Sequence, residues 1–375
     1  MHITYILKKG FQFYPPCLAQ VLYLDDMGVE LTVYHGEDSE YLNRLFEKRG
    51  ISHFVLESDS LRKGKFQGAT KLLKYTAEVR RILNKLPKDE IIWFGNCESA
   101  MSLGRQLEGR RFVLSVLELY DNDKLRDGML DRVIRKATVV TCCEKHRAAI
   151  MKSRYRLKKL PYVMPNKPYP MEDDENHVAH VDKKIISFLE AQKQEGRKIL
   201  LYQGLIDADR PLLNIAKGLR LLGDDKITFV ILGKGDEMLL NELPSYYNNI
   251  RYLGFLPNPL HLAVTRYADI GIANYDFSCL NNVFCAPNKI YEYAQYSVPM
   301  LVSDNVGLVE TVGDYGAAEC VDFSDTEEIK KGLKRIVREY ETYKKNAKTF
   351  YDATDNRSVM EAILDEIVPR RECGE

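Results

Sequence analysis

The sequence carries no excess of either charge: Lys and Arg number 54, Asp and Glu number 54, and the formal net charge is zero. A dedicated nucleic-acid binder normally shows a clear basic surplus, so that class is excluded, although a local basic patch is not. None of the eight cysteines (Cys17, Cys97, Cys142, Cys143, Cys279, Cys285, Cys320 and Cys373) forms a C-x-x-C pair. That rules out a zinc knuckle or thioredoxin-type motif and suits a reducing cytosol. No uncharged apolar stretch approaches the roughly 20 residues of a membrane-spanning helix. The first apolar run, residues 3–7, is short and meets Lys8 and Lys9, unlike a signal peptide. The expectation is a cytoplasmic protein, at most peripheral at the inner face of a membrane. Short-period repeats and low-complexity tracts are also absent. With 45% hydrophobic residues spread evenly, disorder is excluded.

What is present is alternation. At 375 residues, with roughly 150 per domain, two domains are expected. Residues 3–7 read as a strand, a helix follows residues 15 and 16, and residues 31–34 read as a second strand, the unit of a parallel sheet. Helical segments at 41–49, 69–86 and 145–153 interleave with apolar strands at 54–56, 91–94, 112–117, 139–142 and 162–164. Residues 166–184 lose the period, with Pro168, Pro170 and four consecutive acids, and read as a connection. The alternation then restarts. Strands are expected at 199–202, 228–232, 250–255, 270–273 and 300–303. Helices are expected at 185–194, 212–222, 260–267, 288–296, 327–343 and 358–368. The predicted class is α/β, two Rossmann-like doubly wound domains facing across a cleft. The expected divisions are 1–182, 183–350 and a C-terminal helix in 351–375 that packs back on the first domain.

Open parallel sheets bind ligands beyond the carboxyl ends of their strands. The segments to examine are 8–16, 95–98 and 118–121 in the first half, and 204–210, 233–235, 255–258 and 275–288 in the second. Residues 204–210 run strand, loop, cation, helix, and Arg210 beside a helix N-terminus suits a diphosphate. Gly233-Lys234-Gly235 permits close backbone approach, a weak signal alone. Asn288 is expected to cap a helix whose N–H groups and dipole favour an anion, with Lys289 adding charge. Glu292, one turn in, is a candidate acceptor for ribose hydroxyls. The ligand-free alternative is that Glu292 answers the helix dipole, or pairs with Lys289 on a surface.

The order of these segments resembles a glycosyltransferase of the GT-B fold, most like the family 4 group. "LLYQGLIDADRPLLNIAKGL" looks like the family's strand-glycine-loop-cation-helix segment, with Gly204 and Arg210. "FVILGKGDE" looks like its next strand and glycine pair. "NIRYLGFLPNPLHLAVTRYADIGIANY" looks like its nucleobase-contacting loop and following strand. "APNKIYEYAQYSVPMLVSDNVGLVETV" looks like its helix with the ribose-binding glutamate, and "TCCEKHRAAIMKSR...YVMPNKPY" resembles the end of its acceptor domain.

The resemblance implies a hexosyltransferase-like enzyme that moves a sugar from a nucleotide-sugar donor to a glycan or lipid-linked acceptor in polysaccharide or glycoconjugate assembly. It implies retention and no metal or other cofactor, with a UDP-sugar first and GDP- or TDP-sugar as alternatives. Arg210 and Lys289 would stabilise the leaving diphosphate. Gly10, Gly204, Gly233, Lys234 and Asn288 would approach the donor, Phe255 and Leu256 would flank the base, and Glu292 would hold the ribose. Two departures stand out: Phe284 occupies the position of the family's first glutamate, and Leu205 that of its second basic residue. The family's donor-facing histidine has no match in the first half, where Asn96, Glu98 and Glu118 are the expected substitutes. A non-catalytic nucleotide-sugar-binding or scaffold protein and a sugar-nucleotide epimerase are the alternatives.

Two further features stand in the sequence. The basic run Lys152, Arg154, Arg156, Lys158 and Lys159 reads as a solvated helix end or as a contact to anionic lipid. His177 and His180 have H-x-x-H spacing but lie in a polar connector, so no metal site is expected. His35, His146 and His261 show no grouping in the sequence.

Overall fold

A computed structural model describes residues 1–58, 67–170, 178–207, 211–224 and 226–368. The chain forms two compact units, Met1–Pro165 with the segment from Asp355, and Asn166–Thr354.

In the first unit, β1 (His2–Ile6), β2 (Glu30–His35), β3 (Ser52–Val55), β4 (Ile91–Phe94), β5 (Arg111–Val116), β6 (Val139–Cys142) and β7 (Tyr162–Val163) form one sheet. Its order is β3-β2-β1-β4-β5-β6-β7, and every pair is parallel. The helices α1 (Pro15–Asp26), α2 (Glu40–Arg49), α3 (Gln67–Lys85), α4 (Lys124–Ile134) and α5 (Lys145–Arg154) connect the strands. Local chemistry sets their ends: Ser39 caps α2, and Gly50 closes it in the left-handed region. The C-terminal helix, Asn356–Ile367, belongs to this unit. Asn356 donates to the Pro165 carbonyl at 2.9 Å, while Lys159 and Tyr162 each reach the Glu366 carboxylate at 2.8 Å.

The first unit closes at Pro165, ahead of the expected boundary at 182, because the next two residues are anchored in the second unit. Asn166 donates to the Ala286 carbonyl at 2.9 Å, and the buried Lys167 ammonium donates to the carbonyls of Tyr351 and Thr354, both at 2.7 Å.

The second unit repeats the plan. Its strands are β8 (Lys198–Ile206), β9 (Ile227–Gly235), β10 (Ile250–Tyr252), β11 (Ile270–Ala273), β12 (Met300–Ser303) and β13 (Ala318–Val321). They lie in the order β10-β9-β8-β11-β12-β13, all parallel. The longer helices are α6 (Lys183–Gln194), α7 (Leu212–Leu222), α8 (Asn288–Gln295), α9 (Thr326–Arg338) and α10 (Tyr340–Ala353). Alternate residues of one strand enter different cores. Ile199 and Leu201 join one face with Val230 and Leu232, while Leu200 and Tyr202 join the other with Phe229 and Ile231. The first strand in each unit lies at the centre with its successors on opposite sides. The sheet order therefore reverses between β1 and β4, and again between β8 and β11.

Three expectations are corrected. The glycines at 233 and 235 are not in a loop: β8 and β9 run on through them, pairing Gly204 with Gly233 and Ile206 with Gly235. The single helix expected at 327–343 is two, α9 and α10, broken at Glu339. The sequence reading also omitted β13, a four-residue strand carrying Glu319.

Candidate functional site

The carboxyl ends of β8 and β9, with the start of α8, gather most of the residues singled out in the second half. Gly204 has φ +142°, and a Cβ there would lie 3.0 Å from the Lys289 ammonium. Gly233 has no room at all, because its Cβ would fall 1.8 Å from the Gly204 carbonyl oxygen. Gly233 is thus required by strand pairing, and Gly204 is favoured by its positive φ, before any ligand is considered. The Lys289 Nζ lies 5.0 Å from the Tyr202 ring centroid and 5.5 Å from that of Tyr275, a cation held between aromatic faces.

Asn288 is the first residue of α8, not its cap. Pro287 holds the cap position, no side chain caps the helix, and its first turn has no acid. The N-terminal dipole is therefore answered by no carboxylate of its own helix, with a lysine beside it.

Glu292 lies beyond that first turn and is 5% exposed, which sets aside both the dipole reading and the surface pair with Lys289. Its Oε2 accepts from Gln203 Nε2 at 2.5 Å and lies 3.2 Å from His261 Nε2. The Thr265 hydroxyl donates to Gln203 Oε1 at 2.8 Å. Among the described residues, nothing donates to Glu292 Oε1. Position 292 is fixed by its neighbour: the buried Tyr293 hydroxyl donates to the carbonyls of Leu201 (3.0 Å) and Ile272 (3.2 Å), and its ring covers Gly271. Gln203, His261 and Thr265 are functional candidates that the sequence reading missed.

At the carboxyl end of β9, the Lys234 ammonium sits 3.9 Å over the ring centroid of Phe255, which follows β10. Phe255 is 42% exposed, and Leu256 packs half-buried against a core. Asn258, 8% exposed, buries an amide nitrogen that has no acceptor among the described residues. A pocket of about 420 Å³ opens at the ends of β11, β12 and β13, bordered by Tyr275, Asp276, Phe277, Asp304 and Asp322. Leu205 is exposed beside Gly204, and Phe284 is half-buried. Arg210 lies outside the described residues.

In the first unit a separate group forms around the β1–β4 reversal. Glu98 lies 3.9 Å from Lys9 and 3.8 Å from Arg126, so its carboxylate stands between two cations. Glu118 is exposed after β5. Burial first, and then the charges of Glu98 and Glu118, raise the Tyr14 hydroxyl, leaving it a neutral donor at ordinary pH. Tyr120 is raised by burial first, then by Cys97 and the same two acids. Burial pushes the Cys97 thiol up to about 12, so it is no nucleophile at neutral pH. Asn96 has a buried amide nitrogen with no acceptor among the described residues.

Gly10 is explained without a ligand. A Cβ there would sit 2.3 Å from the Glu37 carbonyl oxygen, and Asp38 accepts from the Phe11 and Gln12 amides at 2.8 Å each. The structure does not bring Gly10 together with Glu98 or Glu118 through any hydrogen bond or ion pair among the described residues.

The basic run is partly neutralised: Arg154 pairs with Asp127, and Lys159 with Glu366. His177 lies outside the described residues, whereas His180 is described. Among the described residues no three His, Cys, Asp or Glu side chains gather as a metal site, and no helix is long and apolar enough to cross a membrane.

No family model and no curated protein sequence matches the chain. Solved structures do. A glycosyltransferase from Rickettsia africae ESF-5 has TM-score 0.68 at 13% identity, with 98% of this chain and 99% of that one covered. Anabaena HepE in complex with UDP-glucose has TM-score 0.68 at 13% identity, covering 97% and 98%. The α,α-trehalose 6-phosphate synthase from Burkholderia multivorans has TM-score 0.67 at 12% identity, covering 98% and 96%. At these identities the likeness is one of fold: the chain has the α/β GT-B fold, with two Rossmann-like doubly wound domains.

Proposed function

We propose that the chain is a glycosyltransferase of the family 4 kind, taking a nucleotide-sugar donor in its second unit and a glycan or lipid-linked acceptor in its first. The observation that carries this reading is the pairing of opposite charges at the β8–β11 reversal. A lysine stands at an uncapped helix N-terminus, and one turn on lies a buried carboxylate with one oxygen unpartnered. An anion fits the first and a hydroxyl donor the second, which is the polarity of a nucleoside diphosphate. The orphan Asn258 amide supplies a donor near Phe255, where a base would lie.

In the transfer, the bond from the anomeric carbon to the β-phosphate oxygen breaks and its electron pair stays on the diphosphate. The acceptor hydroxyl oxygen forms the new bond to the anomeric carbon, and its proton passes to the departing diphosphate oxygen. Lys289 and Arg210 stabilise the charge that collects on the leaving group, an electrostatic role that fixed cations perform directly. Glu98 and Glu118 receive acceptor hydroxyls. Retention of configuration, a hexosyl donor, and UDP as the first-choice nucleotide belong to the same reading. The likeness to Anabaena HepE, whose structure is in complex with UDP-glucose, supports the last.

The test is thermal shift with UDP-, GDP-, TDP-, ADP- and CMP-sugars and their bare nucleotides. A ligand that binds only the folded state raises its midpoint. One nucleotide class is expected to shift it, with UDP first. No shift at millimolar concentration from any of them overturns the reading and favours the scaffold alternative that Leu205 and Phe284 suggest.

The same reading places the chain in the cytoplasm with a peripheral contact to anionic membrane. Lys152, Arg156 and Lys158 carry it, since they make no ion pair among the described residues. Co-sedimentation with phosphatidylserine vesicles is expected at low salt and is expected to fall at high salt. Equal sedimentation with neutral vesicles rejects the contact.

A further inference from the structure

We infer that Asn166, the residue with which the chain enters the second unit, is a positioning residue for the turn ahead of α8. Its amide holds the Ala286 carbonyl aside, so that the backbone donors of that turn are left to a diphosphate. The inference rests on the nucleotide-sugar reading. It adds a residue at the crossover between the units, away from the elements that carry Lys289 and Glu292.

The turn has donors without acceptors. The Ala286 and Asn288 amides donate to nothing among the described residues, and Pro287 between them has no N–H. Ala286 is 2% exposed, and a buried N–H without a partner is rare in a folded chain. The helix that follows has no side-chain cap and no acid in its first turn. The group best placed to fill this vacancy from within is the Ala286 carbonyl oxygen, a partial negative charge beside a positive helix end. Asn166 prevents that by donating to it from Nδ2 at 2.9 Å, across 120 residues of sequence. Nothing else among the described residues donates to that oxygen.

Asn166 is 8% exposed, and its Oδ1 is buried with no donor among the described residues. The amide is therefore kept for its nitrogen while its oxygen goes unsatisfied, an arrangement that packing alone disfavours. The rest of the loop is pinned independently. Asn305 donates to the Asn282 carbonyl at 3.0 Å, and a Cβ at Gly307 would fall 2.4 Å from the Cys285 carbonyl oxygen. The carbonyl next to Pro287 is the one left to Asn166. One residue earlier, the Pro165 carbonyl is held within the first unit by Asn356 at 2.9 Å. Position 166 thus joins a fixed crossover peptide to the anion-binding turn.

The experiment measures dissociation constants for UDP and UMP, GDP and GMP, and ADP and AMP on the full chain. The wild type is compared with Asn166→Leu, Asn166→Ala and Lys167→Met. The wild type is expected to bind one diphosphate at least about tenfold more tightly than its monophosphate, since the terminal phosphate adds charge-assisted hydrogen bonds. Asn166→Leu keeps the side-chain size but donates nothing, and is expected to bring that ratio to within about threefold of one. Asn166→Ala removes the same donor, is expected to give the same fall, and decides the matter if Asn166→Leu does not fold. Lys167→Met removes the donor to the Tyr351 and Thr354 carbonyls at the same crossover and leaves Ala286 untouched. It is expected to keep the full ratio whatever it does to the melting midpoint. A merely structural role for Asn166 would weaken both members of a pair equally. A wild-type ratio near one, a full ratio in a folded Asn166 variant, or an equal fall in Lys167→Met overturns the inference while nucleotide binding stands. Failure of the wild type to bind any of the six nucleotides overturns the nucleotide reading and this inference with it.

Discussion

Lys289→Ala is expected to lower the rate of sugar transfer by roughly 100- to 1000-fold, the loss typical when one preorganised group facing developing charge is removed. The Nζ lies within 5.5 Å of both flanking tyrosine ring centroids and beside the backbone of Gly204. It stands at an α8 N-terminus that has no side-chain cap. Two positive sources therefore converge, and one of them is lost in the variant. The fold should survive, because the deletion shortens an aliphatic side chain at a helix end and leaves the Tyr202 and Tyr275 rings in place. At about 1 kcal/mol for such a contact, the melting midpoint should fall by no more than about 4 °C. The loss should appear in kcat more than in KM, since charge builds up on the diphosphate mainly as the glycosidic bond breaks. Arg210→Ala is expected to behave in the same way. Activity within threefold of wild type in the folded Lys289→Ala protein would remove Lys289 from the mechanism. The nucleotide sugar selected by thermal shift serves as donor in both assays.

The two-unit α/β plan was legible because buried parallel strands are continuous apolar runs, and residues 91–94, 112–116, 199–202 and 300–303 are such runs. Where strands carry glycine or acid, that signal fails. The extension of β9 through Gly233, Lys234 and Gly235 is invisible to propensity, since glycine is depleted in strands. At Gly233 and Gly235 the β8 backbone comes too close for a Cβ, so glycine is what lets the pairing continue there. β13 was missed because Glu319 interrupts a four-residue run, while in the structure Arg335 reaches that carboxylate at 3.1 Å.

The site divides the same way. Lys289 and Glu292 are candidates because they lie one turn apart on one short helix. Their supporting residues have no such signal: Gln203 and Glu292 are 89 residues apart, and only the packing of β8 against the elements after β10 and β11 brings them together. His261 looked solitary in the sequence for the same reason. Asn288 was misread as a cap because a polar side chain before an apolar run is the usual signal, yet here Pro287 takes the position with φ −72° and ψ 153°. In the first unit, Gly10 is required by packing against the Glu37 carbonyl oxygen and Asp38, whether or not a ligand approaches it.

Gly233→Ala is expected to lower the stability of the second unit by at least about 3 kcal/mol, the upper range for overpacking a well-filled site. The added Cβ would lie 1.8 Å from the Gly204 carbonyl oxygen and 2.9 Å from the carbonyl carbon, both backbone atoms that no rotamer change can move. Relief requires β8 and β9 to part at their carboxyl ends, where Gly204 pairs with Gly233 and Leu205 with Lys234. That parting carries Gly204 away from Lys289 and strains Gln203, the residue before it, which holds Glu292. The variant should thus lose nucleotide affinity along with stability. At 2–4 °C per kcal/mol for a unit of this size, the melting midpoint should drop by roughly 6–12 °C. Gly204→Ala provides the contrast. Its Cβ would meet the flexible end of Lys289 at 3.0 Å, which can move aside, but φ +142° remains unfavourable for any L side chain. It should therefore cost less stability than Gly233→Ala while displacing the ammonium. Urea midpoints and nucleotide titrations on both variants check the order. Equal midpoints for wild type and Gly233→Ala would mean that β8 and β9 do not pair through these glycines.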